Sequence, residues 1–284
     1  MSLTEQLVQV ADDPPVSLFV ASTHGDPDKT LLVIHGGPDW DQMYLRDPLS
    51  GLTESRVVFV DLRGCGRSTR GLPDRLYTPA LASQDLVQII EHLGQPEIDV
   101  LGFSYGGLIA QRLLMDCPDR VRRLILASTS VLPVPPDAFS GWQEFEVRQS
   151  MQPSRDADDT AWDEARTRLD ATDSAPSNIW QLDLLPTYLD RLAQVRFSAD
   201  WARPWMAGVL PGARVPDGPS RIAQLGKPIL LLHGRYDMTF PASLVQPTLE
   251  AIPEASGVIL DDAGHMAHID QPLAWLEAVE TFLR

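Results

Sequence analysis

The strongest constraint on this chain is a set of short, unbroken apolar runs, each closed by a turn-forming cluster and separated by stretches with helical spacing. Leu31 to Ile34 stops at His35-Gly36-Gly37-Pro38, and Val57 to Val60 stops at Asp61. Ile98 to Leu101 leads into Gly102, Val121 to Ala127 follows, and Pro228 to Leu232 stops at His233-Gly234. Val258 to Leu260 is the last run, and Val16 to Val20 reads as an edge strand. Runs without polar alternation mark strands buried on both faces, as in a parallel sheet covered by helices on either side. Parallel neighbours need crossovers, which are right-handed. The intervening segments supply them. Thr78-Pro79 offers a capping hydroxyl and a first-turn proline, Leu81, Leu86, Ile89, Ile90 and Leu93 follow at helical spacing, and Gly94 ends the helix. A second helix is predicted from about Tyr105 to Met115, and a third lies within Phe240 to Ile252. Pro272 to Leu283 closes the chain with Leu273, Trp275, Leu276, Val279 and Phe282 on its buried stripe.

This regularity stops near Ser130. From there to Ile222 the chain is helical in patches and punctuated by proline, with no strand-like run. Five of the seven tryptophans fall here, at 142, 162, 180, 201 and 205, which marks a segment with its own apolar contacts. The acidic stretch around Asp156, Asp158 and Asp159 reads as a solvated face or loop. The expected organisation is a core domain of residues 1–129 and 223–284, interrupted by a helical insertion of residues 130–222 that lies over the sheet.

Composition excludes several classes. With 44% hydrophobic and 22% charged residues the chain is no disordered polymer. No apolar run approaches the roughly 18 residues of a membrane span, and Met1 to Gln6 lacks the basic start and apolar core of a secretory signal. Twenty-three basic against 39 acidic residues leave a net charge of −16, which repels nucleic acid and anionic membranes. The expected partner is a small molecule or a short peptide. Cys65 and Cys117 form no disulfide framework and fit two free thiols of a cytoplasmic protein. Neither has ligands at metal-binding spacing, so no metal and no cofactor are expected.

The chemistry concentrates where strands end. Gly102-Phe103-Ser104-Tyr105-Gly106-Gly107 lies between a strand and a helix. Small residues on both sides allow a very tight turn that strains Ser104 and exposes its hydroxyl. The N–H of Tyr105 then points from a helix N-terminus at whatever the hydroxyl attacks. The bland alternative is an ordinary glycine-rich loop. A serine nucleophile needs a base and an orienting acid, in the chain order Ser, Asp or Glu, His. His265 follows the last strand and Asp237 the one before it. His268 is the rival base; Asp261 and Asp262 are rival acids, but sit too close to the histidine to reach its far nitrogen. The N–H of Gly37 is the second candidate donor to an oxyanion, beside that of Tyr105; a plain turn is the alternative. Asp61 to Ser68 reads as a structural turn, because it has no Walker lysine and fails the G-x-G-x-x-G spacing. His24, His92 and His233 read as structural.

The order strand, HGGP, DxRGxGxS, GxSxGG, helical insertion, GxxD and GH resembles the α/β-hydrolase family over nearly the whole chain. His35 to Pro38 and His233 to Asp237 look most like its proline iminopeptidase branch. The resemblance implies a mostly parallel, doubly wound sheet with a helical cap inserted after the sixth strand. It also implies a serine hydrolase that releases an N-terminal residue through an acyl-enzyme, with acidic cap residues holding the free amine. The chain departs from that branch in three places. Asp39 follows Pro38 where the branch has glycine, Leu62 replaces its glutamine, and Met206 stands where its cap has glutamate after Trp201 to Trp205. Glu144 and Glu146 are candidate substitutes for the amine-binding acid, although an exposed pair of glutamates on a helix is usually just solvated; without such an acid, a neutral ester or lactone, such as an acyl-homoserine lactone, fits better. An acyltransferase or carbon–carbon hydrolase uses the same scaffold. A non-catalytic ligand receptor is the alternative of another class, although such proteins often lose a triad member. Trp201 and Trp205 are expected to line an apolar pocket over Ser104, or else to form the insertion's own core.

Overall fold

A computed structural model describes residues 3–153 and 162–284. Eight strands form one sheet: β1 (Thr4–Asp12), β2 (Pro15–Ser22), β3 (Asp26–Ile34), β4 (Ser55–Val60), β5 (Ile98–Phe103), β6 (Val121–Ala127), β7 (Ile229–Gly234) and β8 (Ala255–Leu260). Their order is β1-β2-β4-β3-β5-β6-β7-β8. β1 and β2 pair antiparallel, β2 runs antiparallel to β4, and every later pair is parallel.

The unbroken apolar runs are explained by two cores, one on each face. Leu32, Ile34, Val58, Val60, Val100, Leu124, Leu126 and Leu231 point to one face, where Leu86, Ile89, Ile109 and Leu113 of the helices Pro79–Leu93 and Tyr105–Asp116 cover them. Leu31, Val33, Val57, Phe59, Leu101, Ile125, Leu230 and Leu232 point to the other. There Trp275 and Val279 of the helix Pro272–Leu283 close the core, joined by Ile179 and Tyr188 from the stretch between β6 and β7. Leu273, expected on the same stripe, is instead 84% exposed, because two residues before Trp275 lies more than half a helical turn round the axis, on the opposite face. Successive side chains of a strand alternate faces, so a strand buried on both must be apolar at every position. The helix Pro79–Leu93 starts and stops where its sequence dictates: the Thr78 hydroxyl accepts the Leu81 N–H at 3.2 Å, and Gly94 ends it at φ +71°.

β1 escapes a reading based on apolar runs. It sits at the sheet margin with Leu7 63% exposed, and Val8 is its one buried residue, with Val10 and Ala11 packed partly buried against the core. One buried residue in nine leaves no periodic signal.

Between β6 and β7 the described residues form helices only, among them Gln143–Ser150, Glu164–Asp173, Leu185–Gln194, Ala202–Met206 and Gly218–Ala223. The acidic stretch at Asp156, Asp158 and Asp159 lies outside the described residues. The Asp61–Ser68 segment is a turn: the Asp61 carboxylate accepts the N–H of Arg67 within it and that of Gln42 from the preceding loop, and Ser68 Oγ donates to the Asp61 carbonyl. Arg63 forms a buried two-point pair with Asp85 at 2.6 Å. Cys65 and Cys117 are free thiols. No helix among the described residues is long and apolar enough to cross a membrane.

The sheet's parallel strands place their C-terminal ends together, where open α/β sheets carry their sites. The approach there is backbone to backbone: a Cβ on Gly106 would lie 2.2 Å from the His35 carbonyl oxygen and 2.4 Å from that of Ile34. Gly106→Ala is therefore expected to destabilise the fold by about 1–3 kcal/mol through overpacking. Gly212→Ala, where a Cβ meets open space, should change stability by less than about 0.5 kcal/mol. Urea unfolding followed by far-ultraviolet circular dichroism checks the pair; equal effects would refute the packing account.

Candidate active site

Ser104 stands at the junction of β5 and the helix Tyr105–Asp116 with φ +54° and ψ −122°. A non-glycine residue there is strained by roughly 1–3 kcal/mol, and the surroundings must hold it. They do so tightly. The Ser104 N–H donates to the Ala127 carbonyl at 2.9 Å, and Cβ atoms on Gly36 or Gly102 would lie 2.6 Å from Ser104 Cβ and Ala110 Cβ respectively.

The structure brings Ser104, His265 and Asp237 together from three separate strand ends. His265 Nε2 lies 3.0 Å from Ser104 Oγ, and its Nδ1 lies 2.9 Å from Asp237 Oδ2 and 3.1 Å from Oδ1. A carboxylate only accepts, so the Nδ1 proton is donated to Asp237; Nε2 is then left to accept the serine proton. Asp237 is itself fixed, because Oδ1 also accepts the N–H groups of Thr239 and Phe240 at 2.8 and 2.9 Å. The imidazole is packed between the rings of Phe103 and Phe240, with centroids at 5.3 and 6.1 Å.

The rival candidates lie elsewhere. His268 is fully buried among Tyr44, Phe103 and Trp275, and its Nε2 donates to the Tyr44 carbonyl at 3.2 Å. Burial pushes its pKa down to about 3. Asp261 faces outward and pairs with Arg235, and Asp262 is exposed. His233 is buried beneath the site, and burial lowers its pKa.

Gly37 sits at the end of β3 in a left-handed turn, φ +47°, closed by the Trp40 N–H donating to its carbonyl at 3.0 Å. His35 braces this loop in one tautomer. The Leu62 N–H donates to its Nε2 at 3.1 Å, so Nδ1 carries the proton and donates to the Gly36 carbonyl at 2.9 Å. Burial holds this ring neutral, with its pKa pushed down to about 4. Tyr105 opens its helix, so its N–H has no carbonyl within the helix to bond and is free to face a ligand.

Two other residues organise the site, and motif reasoning passed over them. Asp270 is buried, and its carboxylate accepts the N–H groups of Gly264, Trp180 and Gln181 at 2.8 to 2.9 Å. It thereby ties the residue before His265 to the insertion. Tyr236, beside Asp237, stacks on Trp180 at 3.7 Å. Their signals in sequence were an acid five residues after the histidine and an aromatic next to the acid, and neither pattern declares its partner.

The tryptophan expectation divides. Trp205 is 63% exposed and lines a cavity of about 520 Å³ with Gly37, Pro38, Trp40, Trp162 and Ala202. Ser104 is not among its lining residues. Trp201 does not face that cavity: its indole is 1% exposed and Nε1 donates to the Arg63 carbonyl at 2.7 Å, because the ring fills the core beside Tyr77 and Tyr105. Glu144 is taken up by buried Arg148 at 2.6 Å, and Glu146 points to solvent. Among the described residues no group of His, Cys, Asp and Glu could hold a metal ion.

The chain belongs to the alpha/beta hydrolase fold family, which matches residues 29–272. It is 28% identical over 279 residues to a proline iminopeptidase of Lactiplantibacillus plantarum, covering 89% of this chain and 91% of that one. It is 26% identical over 230 residues to a 2-hydroxymuconate semialdehyde hydrolase of Pseudomonas putida, covering 80% and 76%. An esterase from Exiguobacterium antarcticum superposes with a TM-score of 0.73 at 18% identity, covering 99% of both chains. Several of the relatives are proline iminopeptidases, and one, from Bacillus subtilis, bears the name of a 2-succinyl-6-hydroxy-2,4-cyclohexadiene-1-carboxylate synthase.

His268 yields a pH test. Its folded pKa lies below its unfolded value of 6.5, so the unfolded chain takes the proton first. Its contribution is present above pH 6.5 and lost as pH falls toward 3. The stability difference between the wild type and His268→Phe should therefore shift against the wild type on acidification, by at most about 1.4 kcal/mol per pH unit. Urea unfolding of both proteins from pH 7 to 4 measures it, and a constant difference would exclude a neutral buried ring.

Proposed function

We propose that the protein is a serine hydrolase that opens an ester or amide bond of a small molecule or short peptide through an acyl-enzyme. The observation that carries this reading is the continuous hydrogen-bonded line from Ser104 through His265 to Asp237, at 3.0 and 2.9 Å. As Ser104 Oγ attacks the carbonyl carbon, its proton passes to His265 Nε2. The imidazolium keeps its Nδ1 proton on Asp237, which stabilises the new charge and fixes the ring. The N–H groups of Gly37 and Tyr105 receive the developing oxyanion. His265 then gives its proton to the leaving group. Water, deprotonated by the same ring, attacks the acyl-serine and releases the acid.

A fluorophosphonate probe tests the reading. It should label the wild type at Ser104 and leave Ser104→Ala unlabelled, with kcat reduced about 10⁴-fold or more. Asp237→Asn should lose a comparable factor with its fold intact. Labelling that survives in Ser104→Ala would refute the assignment.

The likeness to the Lactiplantibacillus plantarum proline iminopeptidase supports a peptidase. The engagement of Glu144 by Arg148 favours the second reading, a carboxylesterase or lactonase acting on a neutral substrate, because it removes one candidate for holding an amine. Proline β-naphthylamide, p-nitrophenyl acetate and an acyl-homoserine lactone separate these, and turnover of the ester or lactone alone excludes the peptidase. A ligand receptor would bind such molecules without turning them over.

Residues 130–222 act in this reading as a cap, with the cavity beside Gly37 and Trp205 taking an apolar part of the substrate. Trp205→Ala should then raise KM severalfold with kcat nearly unchanged, measured by steady-state kinetics on the best substrate; unaltered KM would remove Trp205 from the binding surface.

A further inference from the structure

Asp39 holds a backbone conformation that favours glycine, with φ +79°. Its carboxylate is 2% exposed and accepts three hydrogen bonds, all from one stretch of the insertion. Oδ1 accepts from the Ser198 hydroxyl at 2.8 Å and the Trp201 N–H at 2.9 Å, and Oδ2 accepts from the Ala202 N–H at 2.8 Å. The Asp39 carbonyl accepts the Ser198 N–H at 2.8 Å. Two residues further on, Asp41 Oδ2 accepts the Arg196 N–H at 3.0 Å. Among the described residues no cation is paired with the Asp39 carboxylate; the N–H and O–H donors of residues 198–202 are what make its burial tolerable.

The same stretch reaches both sides of the serine. On one side, Phe197 meets the Trp40 ring edge to face at 5.4 Å, and a Cβ on Gly37 would lie 3.0 Å from that indole. On the other, Trp201 meets the Tyr105 ring edge to face at 6.0 Å while its Nε1 is anchored on the Arg63 carbonyl. Residues 197–201 are thus wedged between the Gly37 turn and the first residue of the nucleophile's helix, with Asp39 as the clasp.

We propose that Asp39 is a positioning residue that, by clamping residues 198–202 onto the Gly37 turn, sets the spacing of the Gly37 and Tyr105 N–H groups around an oxyanion. This rests on the serine-hydrolase reading above. Those two N–H groups matter most when charge develops on the carbonyl oxygen, so releasing the clasp weakens transition-state binding more than substrate binding.

The test compares the wild type with Asp39→Gly, which accepts the left-handed backbone but lacks the clasp. Asp39→Asn keeps the volume and one acceptor while turning an amide N–H₂ toward a donor. With p-nitrophenyl acetate, kcat should fall about 10- to 100-fold, with KM changed less than about threefold. The inhibition constant of phenylboronic acid, which forms a tetrahedral adduct on the serine, should rise by a factor close to the fall in kcat. Near-ultraviolet circular dichroism establishes that each variant is folded. If Asp39→Gly does not fold, Asp39→Asn decides by the same readings. A folded variant with wild-type kcat and boronate affinity overturns the proposal, and so does a change confined to KM. A wild type that fluorophosphonate does not label at Ser104 defeats the underlying hydrolase reading instead; a labelled wild type with unaffected Asp39 variants defeats this inference alone.

Discussion

The close approach of bare backbone around Ser104 is the constraint on which the rest depends. The end of β3, the end of β5 and the first turn of the following helix meet at distances no side chain could enter, which is why Gly36, Gly102 and Gly106 stand there. That contact forces Ser104 to φ +54° and lifts its hydroxyl out of the sheet. It also brings the Gly37 turn and the Tyr105 N–H to the same hydroxyl. A site assembled on strand ends and one helix start is rigid, as positioned chemistry requires.

Buried carboxylates then fasten the loops around this centre. Asp39, Asp61 and Asp270 each accept two or three hydrogen bonds, mostly from backbone N–H groups of neighbouring segments. Burial raises the pKa of all three, and that of Asp61 reaches about 7 with Asp41 nearby. A carboxyl whose folded pKa exceeds its unfolded value contributes stability below the unfolded value, and loses it as pH rises through the folded one. Asp61 therefore opposes His35 and His268, whose lowered pKa values remove stability as pH falls. The chain's acidic residues are thus not all on the surface: some serve as internal acceptors for loops that have no ladder to join.

The sheet, the chain order of its strands and helices and the tight turn at Ser104 were legible because each is a local pattern; Asp237 and His265 were legible only as candidates just past strand ends, and their meeting with Ser104 is a tertiary fact. Apolar run length reports burial on both faces, and glycine spacing reports backbone contact. β1 was not legible, since a margin strand with one buried residue has no pattern to display. Trp201 and Trp205 sit four residues apart in similar surroundings, yet one is in the core and the other at a cavity mouth. Nothing in their neighbours along the chain distinguishes them, because the difference comes from Tyr77, Arg63 and Tyr105, which are remote in sequence.

By itself the sequence determined the strands that carry unbroken apolar runs, the helices that cover them and the glycine-flanked turn at Ser104, because sterics and burial act within a few residues. Tertiary structure alone decided that Asp39 reaches Ser198, Trp201 and Ala202, and that Asp270 reaches Trp180 and Gly264. A carboxylate's partners are set by whichever donors the folded chain leaves unsatisfied nearby, and those donors come from segments more than a hundred residues away along the chain for Asp39 and about ninety for Asp270's bond to Trp180.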